Sequence, residues 1–230
     1  MKSFLGPVLL GNLTLISVAV ILGWNRDPAR FSRYFDEGRF PMIFSCLQLA
    51  TVAVLAVGIY RRRRAQSVAR GWRVGYQLWG LIAAGFAFLA LDEGFQFHEQ
   101  IDHWVHSAAR WQQTDLSDRL DDLLIGGYAL IGLGVLSIYP REMAAARVML
   151  RPLVLGFIFT GISVVGDAFG HHADGFLAMG AQKSQARVLV EVFEVLEGGF
   201  MLLAEGCFVV AFYLAYRHFQ PPSPASRVDP

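Results

Sequence analysis

Cysteine, lysine and charged side chains in general are scarce in this chain of 230 residues. The two cysteines, Cys46 and Cys207, lie inside apolar runs, where a disulfide framework has no role. Charged residues make up 17% of the chain and the formal net charge is +1, so no basic surface points to nucleic acid. No glycine-rich phosphate loop stands between a strand and a helix. We therefore expect no nucleic-acid partner.

Apolar side chains dominate instead, at 54% of the residues, and the mean hydropathy of +0.41 lies outside the usual soluble range. A bilayer core requires about 20 apolar helical residues, and the chain holds six blocks nearly free of charge. The last three blocks reach that length only when they are extended into their polar flanks. The sequence predicts an all-α integral membrane bundle of six transmembrane helices. The blocks are Phe4 to Trp24, Phe40 to Tyr60, Val74 to Leu91, Leu123 to Tyr139, Leu153 to Val165 and Leu196 to Tyr216.

The distribution of basic residues predicts the orientation of this bundle. Six spans place both termini on one side, whose segments carry 12 Lys and Arg against 8 on the other side. The run Arg61 to Arg64 is the strongest marker, and it is interpreted as a topology signal. The positive-inside rule then predicts a bacterial inner membrane protein with both termini cytoplasmic. Because no clear cleavage site follows Trp24, the first helix is expected to be retained. Residues 1–219 form one predicted transmembrane domain, and the polar, proline-rich residues 220–230 a disordered tail.

Acids and histidines gather at one end of the predicted bundle, where the third and fifth spans end and the sixth begins. In the third span Asp92, Gln96, Glu99 and His103 have the spacing of one helical face. The sixth span carries three glutamates at its start, and Glu205 lies deeper on the same side. An ionised carboxylate near mid-membrane costs about 2.5–3.5 kcal/mol on insertion scales. These side chains are therefore expected to face each other instead of lipid.

Crowded carboxylates must be protonated, paired with a cation or bound to metal, and few basic side chains lie near these. Carboxylates and imidazoles from two or three helices are typical ligands of zinc, iron or manganese. The Glu-x-x-His pairing of soluble di-iron bundles is absent. The sequence predicts a tentative divalent metal site with ligands drawn from Asp92, Glu93, His98, Glu99, Asp167, His171, Glu191, Glu194 and Glu197.

Two stretches, LDEGFQFHEQ and VFEVLEGGF, resemble a group of bacterial polytopic membrane proteins. That group carries an Asp-Glu-x-x-x-x-His-Glu motif and a later Glu-x-x-Glu helix. The likeness covers the third to sixth spans. It marks Asp92, Glu93, His98 and Glu99, and then Glu194 and Glu197. The resemblance implies a shared polar site and no particular reaction.

Three functions are compatible with such a site, and the sequence leaves open whether the protein is an enzyme. In the first, the metal assists hydrolysis or oxidation of a lipid-like or other small substrate that arrives from the bilayer. In the second, the same acids form the relay of a proton- or cation-coupled transporter or channel. A relay requires polar groups that continue beyond Glu205, where the last span is apolar, so the first function is favoured. The third is a non-catalytic subunit of a membrane complex.

Overall fold

The structure is a computed structural model that describes residues 4–35, 38–68, 74–97, 100, 120–170, 176–177 and 180–220, without the side chains of residues 120–126 and 167–170. Every regular element in these ranges is helical. We number the α-helices in chain order. They are α1 (Leu5–Arg26), α2 (Phe40–Gln66), α3 (Gln77–Phe95), α4 (Leu120–Ile138), α5 (Pro140–Ala145), α6 (Leu150–Gly170) and α7 (Lys183–His218), with a 3₁₀ turn at Arg147–Met149 before α6.

Five helices are long and apolar enough to cross a membrane: α1, α2, α3, the segment Arg147–Gly166 and α7. The chain is thus a multi-pass membrane protein. Side chains on the outside of the bundle are correspondingly apolar, as at Leu10 on α1 and Val54 on α2, which are 66% and 71% exposed. In the predicted fourth span, the residues with described side chains form an apolar helix at Gly127–Ile138, which is shorter than a full span.

The long helices pack in an order that gives the bundle two distinct ends. Helix α7 packs most extensively on α6 and also contacts α2 and α1, whereas α3 packs on α2. Helix α4 contacts α3 and α6 only sparingly and completes a ring formed by α2, α3, α4, α6 and α7. We call the end of the bundle where α3 and α6 finish and α7 begins the acidic end. The opposite end, where α2 finishes with Arg61 to Arg64, is the arginine end.

Helix α7 is longer than a bilayer is thick. The sequence predicted that the last span extends into its polar flank, and α7 does so. Its 36 residues are about 54 Å long at 1.5 Å per residue, against a hydrocarbon core of about 30 Å. Counted back from His218, about 20 residues bring the helix to the neighbourhood of Glu197. The carboxylates of Glu191 and Glu194 therefore belong to the interfacial part of α7, and Glu205 lies about 16 Å deeper than Glu194.

The arginine-end half of the bundle contains the apolar core. Its buried side chains come from α2, α3, α7 and the 3₁₀ turn, and among the described residues the largest fully buried ones are Trp79 and Phe212. The rings of these two residues meet edge to face at 6.2 Å, a favourable arrangement. Among the described residues, the acidic-end half has fewer buried apolar side chains, and it contains the polar groups described next.

Candidate functional site

Two glutamates of α7 meet a serine from the loop between α1 and α2. The backbone N–H of Ser32 donates a hydrogen bond to Glu191 Oε2 at 3.1 Å. The Ser32 hydroxyl lies 2.7 Å from the same oxygen and 2.5 Å from Glu194 Oε2. Ser32 is 2% exposed, and both carboxylates are half-buried. Glu191 and Glu194 thus lie against protein at Ser32, whereas their approach to the acids of other helices stays a prediction.

The Ser32 hydroxyl cannot serve both carboxylates at once. A serine hydroxyl has one hydrogen and can donate it to one acceptor at a time, yet two carboxylate oxygens contact it. The backbone N–H of Ser32 is a second donor, to Glu191. No described arginine or lysine forms an ion pair with Glu191 or Glu194. Two carboxylates this close repel each other unless a proton or a bound cation lies between them, so the pair can accommodate a positive charge.

The loop that carries Ser32 is fixed against α1 and α7 by two close backbone approaches. At Gly23 of α1 a Cβ atom would lie 2.0 Å from the carbonyl oxygen of Phe31, so only glycine lets the loop fold back. At Gly198 of α7 a Cβ would lie 2.7 Å from the ring of Phe35. Ser32 is therefore held between two anchored aromatic residues. The sequence reasoning missed it, because a single serine among arginines carries no distinguishing pattern.

Glu197, the third predicted ligand on α7, lies where α6 and α7 approach each other. The hydroxyl of Ser163 on α6 donates to the backbone carbonyl of Glu197 at 2.9 Å. A Cβ at Gly166 would lie 3.7 Å from the Glu197 backbone nitrogen. The Glu197 side chain is half-buried. The structure thus brings α6 against α7 at the level of Glu197, one turn below Glu194.

The predicted polar stripe along the third span is interrupted after Asp92. Helix α3 ends at Phe95, and Gln96 adopts a left-handed conformation with φ of 55°. This reversal takes Gln96 out of the helical register of Asp92, and Glu99 and His103 lie outside the described residues. Asp92 itself is buried, at 4% exposure, and Glu93 is half-buried.

Four of the predicted ligands fall on parts of the chain outside the description. His98, Glu99 and His171 are not among the described residues, and Asp167 lies on α6 without a described side chain. Whether these four residues approach Glu194 therefore stays a prediction. Within the described ranges, no group of three or more His, Cys, Asp or Glu side chains has the arrangement of a metal site.

A second polar layer lies deeper in the bundle, around Glu205. Glu205 is 2% exposed, and its Oε1 accepts a hydrogen bond from the Ser45 hydroxyl of α2 at 2.6 Å. Beside it, Asn12 of α1 and Gln48 of α2 exchange two amide hydrogen bonds at 3.3 and 3.2 Å. Isolated polar residues inside apolar spans are the signal that marks Asn12 and Gln48 in the sequence.

The polar layer is closed towards the arginine end by aromatic rings. Phe208 of α7 meets Phe86 of α3 at 5.7 Å and Phe157 of α6 at 5.3 Å, both edge to face. Phe86 also meets Phe212 of α7 at 5.5 Å. These four phenylalanines fill the ring of helices directly below Glu205. The expectation that polar groups of the last span stop at Glu205 is consistent with this packing.

The arginine end holds a buried ion pair that the sequence reasoning missed. Arg63 donates to both carboxylate oxygens of Glu142, at 2.7 and 2.8 Å, and the indole N–H of Trp79 donates to Oε1 at 2.8 Å. Burial raises the pKa of Glu142, but these hydrogen bonds and the Arg63 charge outweigh it, so the net pKa is lowered. The arginine run thus also takes part in the packing of the bundle, through Arg63. In the sequence, the signal that could have identified this ion pair was the single acid, Glu142, shortly after Pro140.

Residues 7–216 match the family model described as a domain of unknown function, DUF8692. The matched region extends from the first turn of α1 to the last turn of α7. It contains Ser32, Glu205 and Glu142 together with all of α2 to α6. No curated protein and no solved structure matches the chain.

Proposed function

The chain belongs to the DUF8692 family, and from its own residues we propose that it is a membrane protein with a divalent-metal site at its acidic end. The main support for this site is that Glu191 and Glu194 share the single hydroxyl of Ser32. A bound cation would relieve the repulsion between these two carboxylates. Zinc, iron and manganese are the candidate metals, because carboxylate and imidazole ligands suit all three.

Glu191 and Glu194 provide the described part of the proposed ligand set. Asp92 and Glu93 lie at the end of α3 that faces the same end of the bundle, and Glu197 is one turn away on α7. His98, Glu99, Asp167 and His171 complete the proposal with imidazole and carboxylate donors. Ser32 takes the position of a supporting residue that orients two carboxylates, as is common around metal sites.

The proposed reaction is metal-assisted hydrolysis or oxidation of a lipid-like substrate. A bound metal lowers the pKa of its water or polarises an ester, and a spare glutamate acts as general base. Access from the bilayer is supported by the sparse packing of α4 on α3 and α6, compared with the close packing of α2 on α3. An amphiphile entering between α3 and α4 reaches the carboxylates without crossing the membrane.

The finer topology is part of the same proposal. Helix α4 serves as a sixth span, which places both termini on the side of Arg61 to Arg64. The positive-inside rule makes that side cytoplasmic, in the inner membrane of a bacterium. The acidic end then faces outward. Cysteine accessibility to a membrane-impermeant reagent in intact cells tests this orientation, with single cysteines placed at Arg30 and at Gln66 in a chain lacking Cys46 and Cys207.

Elemental analysis of the purified protein tests the metal site. We expect about one metal ion per chain in the wild type, and a loss in Glu194→Gln and in His98→Ala. The variant Glu142→Gln is the matched control, since it changes a glutamate at the opposite end. Retention of metal by Glu194→Gln would contradict the proposal. So would the absence of metal from the wild type after incubation with Zn²⁺, Fe²⁺ and Mn²⁺.

A proton- or cation-coupled relay is the second candidate, and the buried polar layer of Glu205, Ser45, Asn12 and Gln48 favours it. The phenylalanines below Glu205 oppose it, because a relay requires polar groups across the whole membrane. Liposomes containing the protein provide the test. Proton or cation flux that Glu205→Gln abolishes would replace the metal-site proposal. If the protein neither binds metal nor supports flux, the remaining candidate function is that of a structural subunit of a membrane complex.

A further inference from the structure

Glu205 has one carboxylate oxygen without a hydrogen-bond partner. Its Oε1 accepts from Ser45, whereas Oε2 is fully buried and has no partner among the described residues. A charged oxygen left bare in an apolar interior is strongly unfavourable. Most buried polar atoms in proteins have a partner, and the exceptions call for a physical explanation. Something positive beside Oε2 would provide one.

The neighbouring side chains present further oxygens at the same level. Gly206 follows Glu205 directly, and a Cβ at this position would lie 2.1 Å from Asn12 Nδ2 and 3.2 Å from Gln48 Oε1. The Asn12 and Gln48 amides therefore rest on the backbone next to Glu205. Each amide oxygen accepts one hydrogen bond from the other amide and keeps a second lone pair. The Ser45 oxygen also keeps its lone pairs when it donates its hydrogen.

We propose that Glu205, Ser45, Asn12 and Gln48 bind a hard monovalent cation, for which sodium is the probe, within the membrane-spanning part of the bundle. The donors are all oxygens, which hard cations prefer over the softer nitrogen and sulfur ligands of transition metals. This site is separate from the proposed metal site at Ser32, because Glu194 and Glu205 are 11 residues apart on α7, about 16 Å.

A single charge on the cation fits the single carboxylate in the donor set. A divalent ion there would leave an uncompensated positive charge in a low-dielectric interior, which costs several kcal/mol. Oxygens that share a hard cation each lie about 2.3–2.6 Å from it, and they need no hydrogen bond to one another. The lack of a hydrogen-bond partner at Oε2 is consistent with this arrangement.

The cation exchanges with the acidic end and does not cross the membrane. Glu93 lies near the acidic-end terminus of α3, where a carboxylate attracts a cation towards the site. On the other side, the four phenylalanines around Phe208 close the ring of helices. The site therefore holds a bound ion that contributes to the stability of the α1, α2 and α7 contact.

Sodium binding to the full-length protein in detergent tests this proposal. We expect broadening of the ²³Na NMR signal and a melting temperature that rises with sodium chloride and saturates, relative to choline chloride at equal ionic strength. Glu205→Gln is expected to abolish both effects. Asn12→Ala removes one ligand and is expected to weaken binding at least about tenfold, which corresponds to 1.4 kcal/mol. If Glu205→Gln fails to fold, Asn12→Ala decides.

Two control variants separate this site from other effects. Thr51→Val removes a hydroxyl on α2 that is bonded to the backbone of its own helix, and it should leave sodium binding unchanged. Glu194→Gln should remove the divalent metal and retain the sodium effect. The proposal is overturned if sodium and choline act alike on the wild type. A merely protonated Glu205 predicts this result. The proposal is also overturned if the Asn12 variant binds sodium as the wild type does, because Asn12 is then not a ligand.

Discussion

Replacing Glu142 by alanine tests whether the ion pair at the arginine end holds the bundle together. The substitution removes the acceptor of three hydrogen bonds, two from Arg63 and one from Trp79. It leaves a guanidinium without its carboxylate and a fully buried indole N–H without an acceptor. Arg63 lies near the end of α2, Trp79 near the start of α3, and Glu142 on the short helix before α6, so three segments lose their connection.

The size of the effect follows from the burial of each partner. Removing one member of a buried ion pair costs about 3–5 kcal/mol. The Arg63 side chain is 29% exposed, so water partly compensates, and we reduce this contribution to about 2–3 kcal/mol. The unpaired N–H of Trp79 adds about 1–3 kcal/mol. Together these contributions predict that Glu142→Ala lowers the free energy of unfolding by about 3–6 kcal/mol.

Reversible unfolding of the purified protein in mixed micelles measures this difference. Glu142→Gln keeps an acceptor oxygen for Trp79 but removes the charge, and it should cost about 1–2 kcal/mol. Arg61→Gln is the matched control, since Arg61 is exposed within the same arginine run, and it should change stability by less than about 0.5 kcal/mol. If Glu142→Ala lowered the free energy of unfolding no more than Arg61→Gln does, the reasoning would be refuted. The arginine run would then be a topology signal alone.

Three further predictions concern the two ends and the middle of the bundle. Because the pKa of Glu142 is lowered in the folded state, its stabilising contribution is present above its ordinary value of 4.5 and is lost as the pH falls. The stability difference between wild type and Glu142→Gln, followed by acid titration, should therefore shrink below about pH 4.5, and a constant difference would contradict this. Ser32→Ala should weaken metal binding about 10–100-fold, as loss of a supporting residue does, and equilibrium dialysis with the metal found in the wild type would show no change if Ser32 is unconnected to the site. Gly206→Ala should destabilise the protein by about 1–3 kcal/mol through overlap with Asn12, whereas Thr51→Val should not; equal melting temperatures would refute this packing.

The sequence predicts the membrane character and the helical fold because both depend on local composition. Runs of about 20 apolar residues bury their backbone hydrogen bonds only as helices in a bilayer. The convergence of acids at one end also follows from counting spans, and for the acids of different helices it stays a prediction. Helical spacing alone did not reveal the left-handed Gln96 that ends α3.

Only the tertiary structure decides which residues complete these groups. Ser32 meets Glu191 across 159 positions of sequence, and Ser45 meets Glu205 across 160. Glu142 reaches Arg63 because the short helix α5 lies against the end of α2 and the start of α3. Hydropathy and spacing describe each helix by itself, whereas the partners of a buried charge depend on how helices rotate about their axes and on where glycines allow close approach. The chain itself therefore specifies helices with acids at one end, and packing specifies what each acid binds.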